Sequence, residues 1–131
     1  MNELAKEILD TVEVGALATV NVDRTPLVTP LHFARLGDSI VWISEPTARH
    51  SENAFRNGKA EFVVWDDKKR AVFLKTNVTE LPESEKDAAM AAYKEKLADF
   101  MPRCENPQIY VAPIGELDEK TTTGNWLHFI A

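Results

Sequence analysis

Short stretches of alternating apolar and polar residues, joined by short polar connections, constrain the fold of this chain more than any other feature. Three such stretches lie at Ala16–Val22, Leu27–Ala34 and Ser39–Ser44. A hydrophobic period of two is typical of β-strands with one buried face. The connections 23–26 and 36–38 have the length and the residue types of hairpin turns. The pattern therefore predicts an antiparallel meander of three strands.

The rest of the chain adds strands of the same kind. The stretches 60–65 and 70–80 flank the polar sequence Asp66-Asp67-Lys68-Lys69, which predicts a further hairpin. Strands are also predicted at 108–117 and 126–130, which makes six or seven in all. Because hairpins rather than helices join most of them, we expect a mainly β fold, a β-barrel with α-helices, whose strands are antiparallel.

Two or three peripheral helices accompany these strands. Segment 2–12 has apolar residues at helical spacing. A second helix is predicted from a cap at Thr47 to residue 57, with Gly58 where helices commonly end. A third is predicted over 82–100. The narrow apolar stripe expected for this third helix comprises Ala88, Ala91, Ala92 and Leu97.

Composition excludes several classes of protein. The 131 residues include 15 Lys and Arg against 21 Asp and Glu, a formal net charge of −6, and no basic cluster that would attract nucleic acid or an anionic membrane. Cys104 is the only cysteine, so no intrachain disulfide can form. With a charged start and no long apolar run, we expect one cytoplasmic domain spanning residues 1–131.

The segment from Ser44 to Asn53 carries the clearest chemical signal. It leaves a strand and enters a helix, and it places hydroxyls and cations in the first helical turn. Free N–H groups and the helix dipole favour an anion there, and Arg49 can bind two phosphate oxygens at once. The pattern indicates a phosphate site. The alternative is a surface arginine paired with Glu45 or Glu52.

Other reactive residues give weaker signals. His32, His50 and His128 have no spacing typical of metal ligands, so no metal is expected. No hydrolytic triad is supported, and Cys104 is interpreted as incidental. The three tryptophans, in strand-like segments, are interpreted as core or dimer-interface residues, and Trp126 near the chain end is expected to cover a ligand ring or a partner subunit.

Together these residues resemble a known family. Leu17-Ala18-Thr19-Val20, a turn ending in Pro26, the sequence Thr29-Pro30-Leu31-His32-Phe33 and the segment Thr47–Asn53 are similar to the pyridoxamine 5'-phosphate oxidase-like family of FMN-binding split barrels. The resemblance covers about residues 12–80 and extends beyond Pro82 in layout only. It implies a split barrel that pairs as a homodimer and binds two FMN molecules at the interface.

The resemblance also implies roles for individual residues. Phosphate contacts are expected from Ser44, Thr47, Arg49, His50 and Asn53. Along the second and third strands, the flavin ring is expected to lie near Pro30, Leu31, His32 and Trp42. Trp126 is the candidate for a C-terminal aromatic residue that approaches the ring from the partner.

Two departures from the family pattern limit what the resemblance implies. The first turn reads Asp23-Arg24-Thr25 instead of Asp-Gly, and the chain ends without the family's Arg-containing substrate signature, which argues against pyridoxamine phosphate as substrate. The first hypothesis is an FMN-dependent oxidoreductase that takes electrons from a reduced nicotinamide or another donor. Its alternatives are a flavin- or haem-binding or sensing protein without turnover, and a barrel that has lost its cofactor.

Overall fold

A computed structural model describes all residues from 1 to 131 and shows a mainly β fold with three α-helices. The strands are β1 (Val14–Val20), β2 (Pro26–His32), β3 (Ala34–Leu36), β4 (Ser39–Ser44), β5 (Lys59–Trp65), β6 (Ala71–Asn77), β7 (Thr79–Glu80), β8 (Gln108–Pro113), β9 (Glu116–Leu117) and β10 (Trp126–Ile130). The helices are α1 (Glu3–Thr11), α2 (Arg49–Asn57) and α3 (Lys86–Leu97), with a 3-10 turn over Glu83–Glu85. None of the helices combines the length and the apolar character that a membrane crossing requires.

The strands form two sheets that do not join into a closed barrel. The six-stranded sheet has the order β2-β1-β5-β6-β10-β9, and the four-stranded sheet has the order β3-β4-β8-β7. The predicted split barrel is confirmed. All pairs are antiparallel except β6 with β10, which run parallel. No hairpin joins β6 to β10, so their relative direction is not set by a turn.

The predicted three-strand meander is wrong in one respect, because the chain changes sheets at Phe33. β1 pairs with β2, whereas β3 and β4 pair in the other sheet. The Phe33 side chain is buried between the sheets, and its ring meets that of Phe62 edge to face at 5.1 Å. Phe33 and Ala34 are both buried, so the alternation shifts by one residue at this crossing, where the predicted strand ran straight through. Two other predicted strands are also divided between the sheets. Segment 70–80 forms β6 in the six-stranded sheet and β7 in the four-stranded sheet, and segment 108–117 forms β8 in the four-stranded sheet and β9 in the six-stranded sheet.

The main core lies between the sheets and is sealed by α1. Trp42 stacks in parallel with Phe62 at 6.2 Å and also contacts the Tyr110 ring. Ile8 and Leu9 of α1 are completely buried against this cluster. The aromatic rings therefore fix the spacing of the sheets on which the site is built.

A second apolar cluster lies under α3, and it corrects the stripe predicted for this helix. The buried residues are Ala89, Tyr93 and Leu97, spaced four apart, while Ala88 and Ala91 are exposed and Ala92 is partly exposed. Tyr93 accounts for the difference, because one large side chain buries more apolar area than several alanines. The four-residue spacing places all three side chains on the same helix face.

Candidate functional site

Helix α2 begins directly after β4 and leaves its first backbone donors free. Its N-cap is Ala48, with no side-chain hydrogen bond, so the predicted cap at Thr47 is wrong. The N–H groups of Arg49, His50 and Ser51 have no hydrogen-bond partner. Gly58 ends the helix as predicted, at φ 75°. Since free N–H groups and the helix dipole attract negative charge, the start of α2 suits an anion.

Two buried hydroxyls, those of Ser51 in α2 and of Tyr110 in β8, also lack hydrogen-bond partners. The Ser51 side chain is only 3% exposed, and its Oγ makes no hydrogen bond. Burial raises the pKa of Tyr110, and the nearby Ser51 hydroxyl offsets part of that shift. Neither hydroxyl finds a partner of good geometry, although buried polar groups are normally paired. The first turn of α2 therefore has hydrogen-bonding capacity that the fold itself does not use.

Arg49 is exposed and forms neither an ion pair nor a hydrogen bond. The ion pairs of the structure lie elsewhere, and neither Glu45 nor Glu52 approaches the Arg49 guanidinium within 4 Å. The interpretation as a paired surface arginine therefore has no contact to support it. Arg49 lines an open groove of about 440 Å³ together with Asn53 and Arg56.

The Asn53 side chain is 3% exposed, and contacts within the chain already use its amide. Its Nδ2 donates to Thr19 Oγ1 at 3.2 Å and to Asn21 Oδ1 at 2.9 Å. Its Oδ1 accepts from Arg56 at 2.8 Å, and Arg56 also donates to the carbonyl of Val20. The predicted phosphate contact of Asn53 stays a prediction. The contacts observed give Asn53 a positioning role, because they fix α2 against β1.

On the other side of α2 lies a cavity of about 310 Å³ that unites half of the predicted site residues. Pro30, Leu31 and His32 of β2 line one wall, and Ser44 and His50 line another. His50 Nε2 and Ser44 Oγ are 3.0 Å apart, and burial lowers the pKa of His50. His50 is therefore neutral at pH 7. The volume falls at the low end of the range typical of small-molecule sites.

A loop that the sequence did not implicate covers this cavity. It runs between α3 and β8, and Phe100, Pro102, Arg103 and Cys104 line the cavity from it. The Phe100 ring stacks on the His32 ring with centroids 3.8 Å apart. Neither periodicity nor motif spacing identifies such a contact, because Phe100 and His32 lie far apart along the chain.

Three predicted site residues lie away from these two cavities. Trp42 is 1% exposed in the core and offers no surface to a ligand. Thr47 is exposed in the turn before α2. Trp126 is 54% exposed and packs on Phe73 beside a separate apolar cavity of about 530 Å³. Because β10 lies four strands from β2, about 19 Å at the usual strand spacing, Trp126 does not reach His32 within one chain.

Sequence reasoning also missed Arg56. It lies seven residues after Arg49, two helical turns on, so the pair shares one face of α2. The seven-residue spacing between the two arginines could have identified Arg56 from the sequence. The whole arrangement can hold an anionic group at the start of α2 and a flat apolar ring beside β2.

Comparisons with known proteins agree with this fold. The sequence model described as pyridoxamine 5'-phosphate oxidase matches residues 1–115. Among curated proteins, no relative is found. A heme binding protein from Mycobacterium smegmatis has a similar structure, with a TM-score of 0.72 and 21% identity over 86% of this chain. This chain spans 50% of the length of that protein.

Two further solved structures are similar over most of both chains. An F420 reductase superposes with a TM-score of 0.68 at 19% identity, covering 85% of this chain and 93% of the other. An FAD-binding protein from Mesorhizobium loti gives 0.67 at 20% identity, covering 88% and 91%. At these identities the structures show a shared fold, and the family match extends over most of the sequence. The chain belongs to the pyridoxamine 5'-phosphate oxidase family.

Proposed function

We propose that this protein is a small FMN-binding flavoprotein that passes electrons from a reduced nicotinamide or another donor to an acceptor. The observation that carries the proposal is the unused start of α2, whose three free N–H groups lie between a cavity lined by β2 and a groove lined by the unpaired Arg49. A phosphate needs such donors, and a flavin ring needs such an apolar slot. The family comparisons support a flavin or a haem as ligand class.

The residues present fit FMN at both ends. Arg49 and the free N–H groups of α2 would hold the phosphate. Leu31 and His32 would flank the ring. FMN supplies the redox chemistry when bound, and the protein orients the ring and limits access of water to it. No acid or base in the chain is required for that role.

We propose further that the protein acts as a homodimer. The outer face of the six-stranded sheet is largely apolar and is covered by nothing in one chain; its residues include Val14, Val28, Val63, Trp65, Phe73, Trp126 and Ile130. Exposed apolar patches of this kind mark protein interfaces. A second chain on this face would bring its own Trp126 toward the ring that one chain cannot reach. The single free thiol, Cys104, fits a cytoplasmic protein.

A second candidate is a binding protein that holds a flavin or a haem without turnover. Two imidazoles, His32 and His50, line the cavity, and imidazole is a common axial ligand of haem iron. The heme-binding structural neighbour supports this candidate. The unpaired Arg49 next to free N–H groups favours the phosphate of FMN instead.

One spectroscopic titration tests the proposal. The purified protein, mixed in turn with FMN and with haem, is expected to give the spectrum of a bound oxidised flavin and to oxidise NADH or NADPH in the presence of an artificial acceptor. A flavin spectrum without turnover would support the binding protein. A haem spectrum together with no flavin binding would contradict the proposed function.

A further inference from the structure

The loop that covers the cavity, residues 98–107, is here called the strap. It has no regular secondary structure, and none of its side chains is buried. Its start is marked by Ala98, a non-glycine residue at φ 54°. Segments with few buried contacts open at low free-energy cost, so the strap belongs to the least stable part of the molecule.

Two contacts hold the strap closed over the cavity. At its start, the Phe100 ring stacks on His32, with centroids 3.8 Å apart and planes at 26°. Toward its end, the backbone N–H of Asn106 donates to both carboxylate oxygens of Glu45 at 3.2 Å. Both anchoring partners, His32 and Glu45, themselves line the cavity. The strap is therefore fastened to the walls of the site that it covers.

We propose that the strap is a displaceable lid and that Phe100 occupies the position on His32 that a planar ring ligand takes. The stack distance is that of two rings in van der Waals contact, which leaves no space for a third ring between them. A flavin ring that stacks on His32 must therefore displace Phe100. This inference rests on the proposed function only for the identity of the ligand, since the closure itself is independent of any ligand.

Cys104 provides a direct readout of closure. It is the only thiol of the chain, it is half-buried, and it lines the cavity from the strap. Burial and the charge of Glu45 raise its pKa. Because Cys104 is partly exposed with the strap closed, the readout of opening is the increase in its rate of alkylation by iodoacetamide, followed by mass spectrometry. A pH–rate profile separates a change in opening from a change in the pKa of the thiol.

The test compares Phe100→Ala with Met101→Ala. Both residues are exposed in the strap, but only Phe100 lines the cavity and stacks on His32. Loss of one aromatic stack is expected to speed alkylation by about three- to tenfold in Phe100→Ala. Met101→Ala is expected to react at the wild-type rate. FMN and riboflavin are both expected to associate faster with Phe100→Ala, because they share the ring.

The outcomes separate this proposal from the proposed function. An unchanged alkylation rate in Phe100→Ala, or an equal increase in Met101→Ala, overturns the lid. Slower flavin association in Phe100→Ala also overturns it, because Phe100 would then be part of the ring site. Faster alkylation in a protein that binds no flavin supports the lid and contradicts the proposed function. Flavin binding with an unchanged alkylation rate in Phe100→Ala supports the proposed function and contradicts the lid.

Discussion

At the scale of single residues, Arg49 is the side chain whose placement folding alone explains least. A cation at a helix N-terminus is opposed by the helix dipole, and Arg49 forms no ion pair, although Asp23 across the groove is near enough for a longer-range attraction. The guanidinium instead faces an open groove beside three unpaired N–H groups. A bound anion would satisfy all of these groups together.

Substitution of Arg49 tests this role. Arg49→Ala is expected to weaken FMN binding by about 1.5–3 kcal/mol, or one to two decades in affinity, because hydrogen bonds to charged groups carry that energy. Riboflavin, which lacks the phosphate, is expected to bind as before. The melting temperature of the flavin-free variant is expected to stay equal or rise slightly, since an unfavourable charge is removed. Calorimetric titration and thermal unfolding measure these three quantities.

Arg24→Ala is the matched control. Arg24 is exposed, lies in the turn before β2 and lines neither cavity, and its removal changes the net charge by the same amount. It is expected to leave both affinities unchanged. An equal loss of FMN affinity in the two variants would show a general charge effect and would count against an anchor at Arg49.

Site residues could be predicted from the sequence where neighbours along the chain determine their positions. Ser44 and His50 lie together because a strand is followed after a short turn by a helix, and this can be recognised along the chain. The core position of Trp42 and the internal bonds of Asn53 depend on partners far away in sequence, such as Thr19. No local pattern encodes those contacts.

At the scale of elements, periodicity predicted the strands and helices but not how the sheets divide. β4 spans the predicted residues, and α2 ends at the predicted glycine. The passage from β2 to β3 at Phe33 was not predicted, because the apolar pair Phe33-Ala34 that interrupts the alternation there is equally typical of a bulge within one strand. The parallel pairing of β6 with β10 follows from packing rather than from any turn.

A half-buried cation, Lys96, joins two of these elements. Lys96 of α3 donates to the carbonyl of Leu9 in α1 at 2.8 Å, and its Nζ lies 3.6 Å from the centre of the Phe33 ring. Burial lowers the pKa of Lys96 to about 8 and outweighs the charges of Asp10 and Glu13, which act in the opposite direction. Charged Lys96 therefore costs the folded state free energy at neutral pH.

This shift predicts a pH dependence of stability. Between about pH 8 and the ordinary lysine pKa of 10.5, the unfolded chain binds more protons than the folded one, so the free energy of unfolding rises with pH. Lys96→Met is expected to remove that rise. Urea unfolding at pH 7.5 and 9.5 compares the two proteins, and the contributions of Cys104 and of the two tyrosines are common to both and cancel in the difference. If wild type and variant change in parallel between these pH values, the assignment to Lys96 is wrong.

At the scale of the whole molecule, the outer face of the six-stranded sheet is the largest feature that one chain leaves unexplained. Trp65 is 56% exposed there and Val28 is 64% exposed. The same face carries two opposite charges, Glu61 of β5 and Lys75 of β6, which are cross-strand neighbours. Trp42, interpreted from the sequence as a core or interface residue, lies in the core. The remaining apolar face suits a second copy of the chain.

A charge in the middle of this face is expected to separate the subunits. Val63 lies between Ala16 of β1 and Phe73 of β6, so Val63→Glu places a carboxylate in the proposed interface. Burial of an unpaired charge is strongly unfavourable, and light scattering is expected to give the mass of one chain. Ala91→Glu adds the same carboxylate at an exposed position of α3, outside the sheet and both cavities, and is expected to stay dimeric. Wild-type protein that is monomeric with FMN bound would contradict the homodimer.

The central claim is that the start of α2 holds the phosphate of a flavin nucleotide. Its most direct test is calorimetric titration of the wild-type protein with FMN and with riboflavin under identical conditions. The two ligands share the ring and differ by the phosphate, so the ratio of their affinities isolates the contribution of α2. We expect FMN to bind at least about tenfold more tightly, as charge-assisted hydrogen bonds to the phosphate require. Equal affinities for the two ligands would contradict the phosphate site.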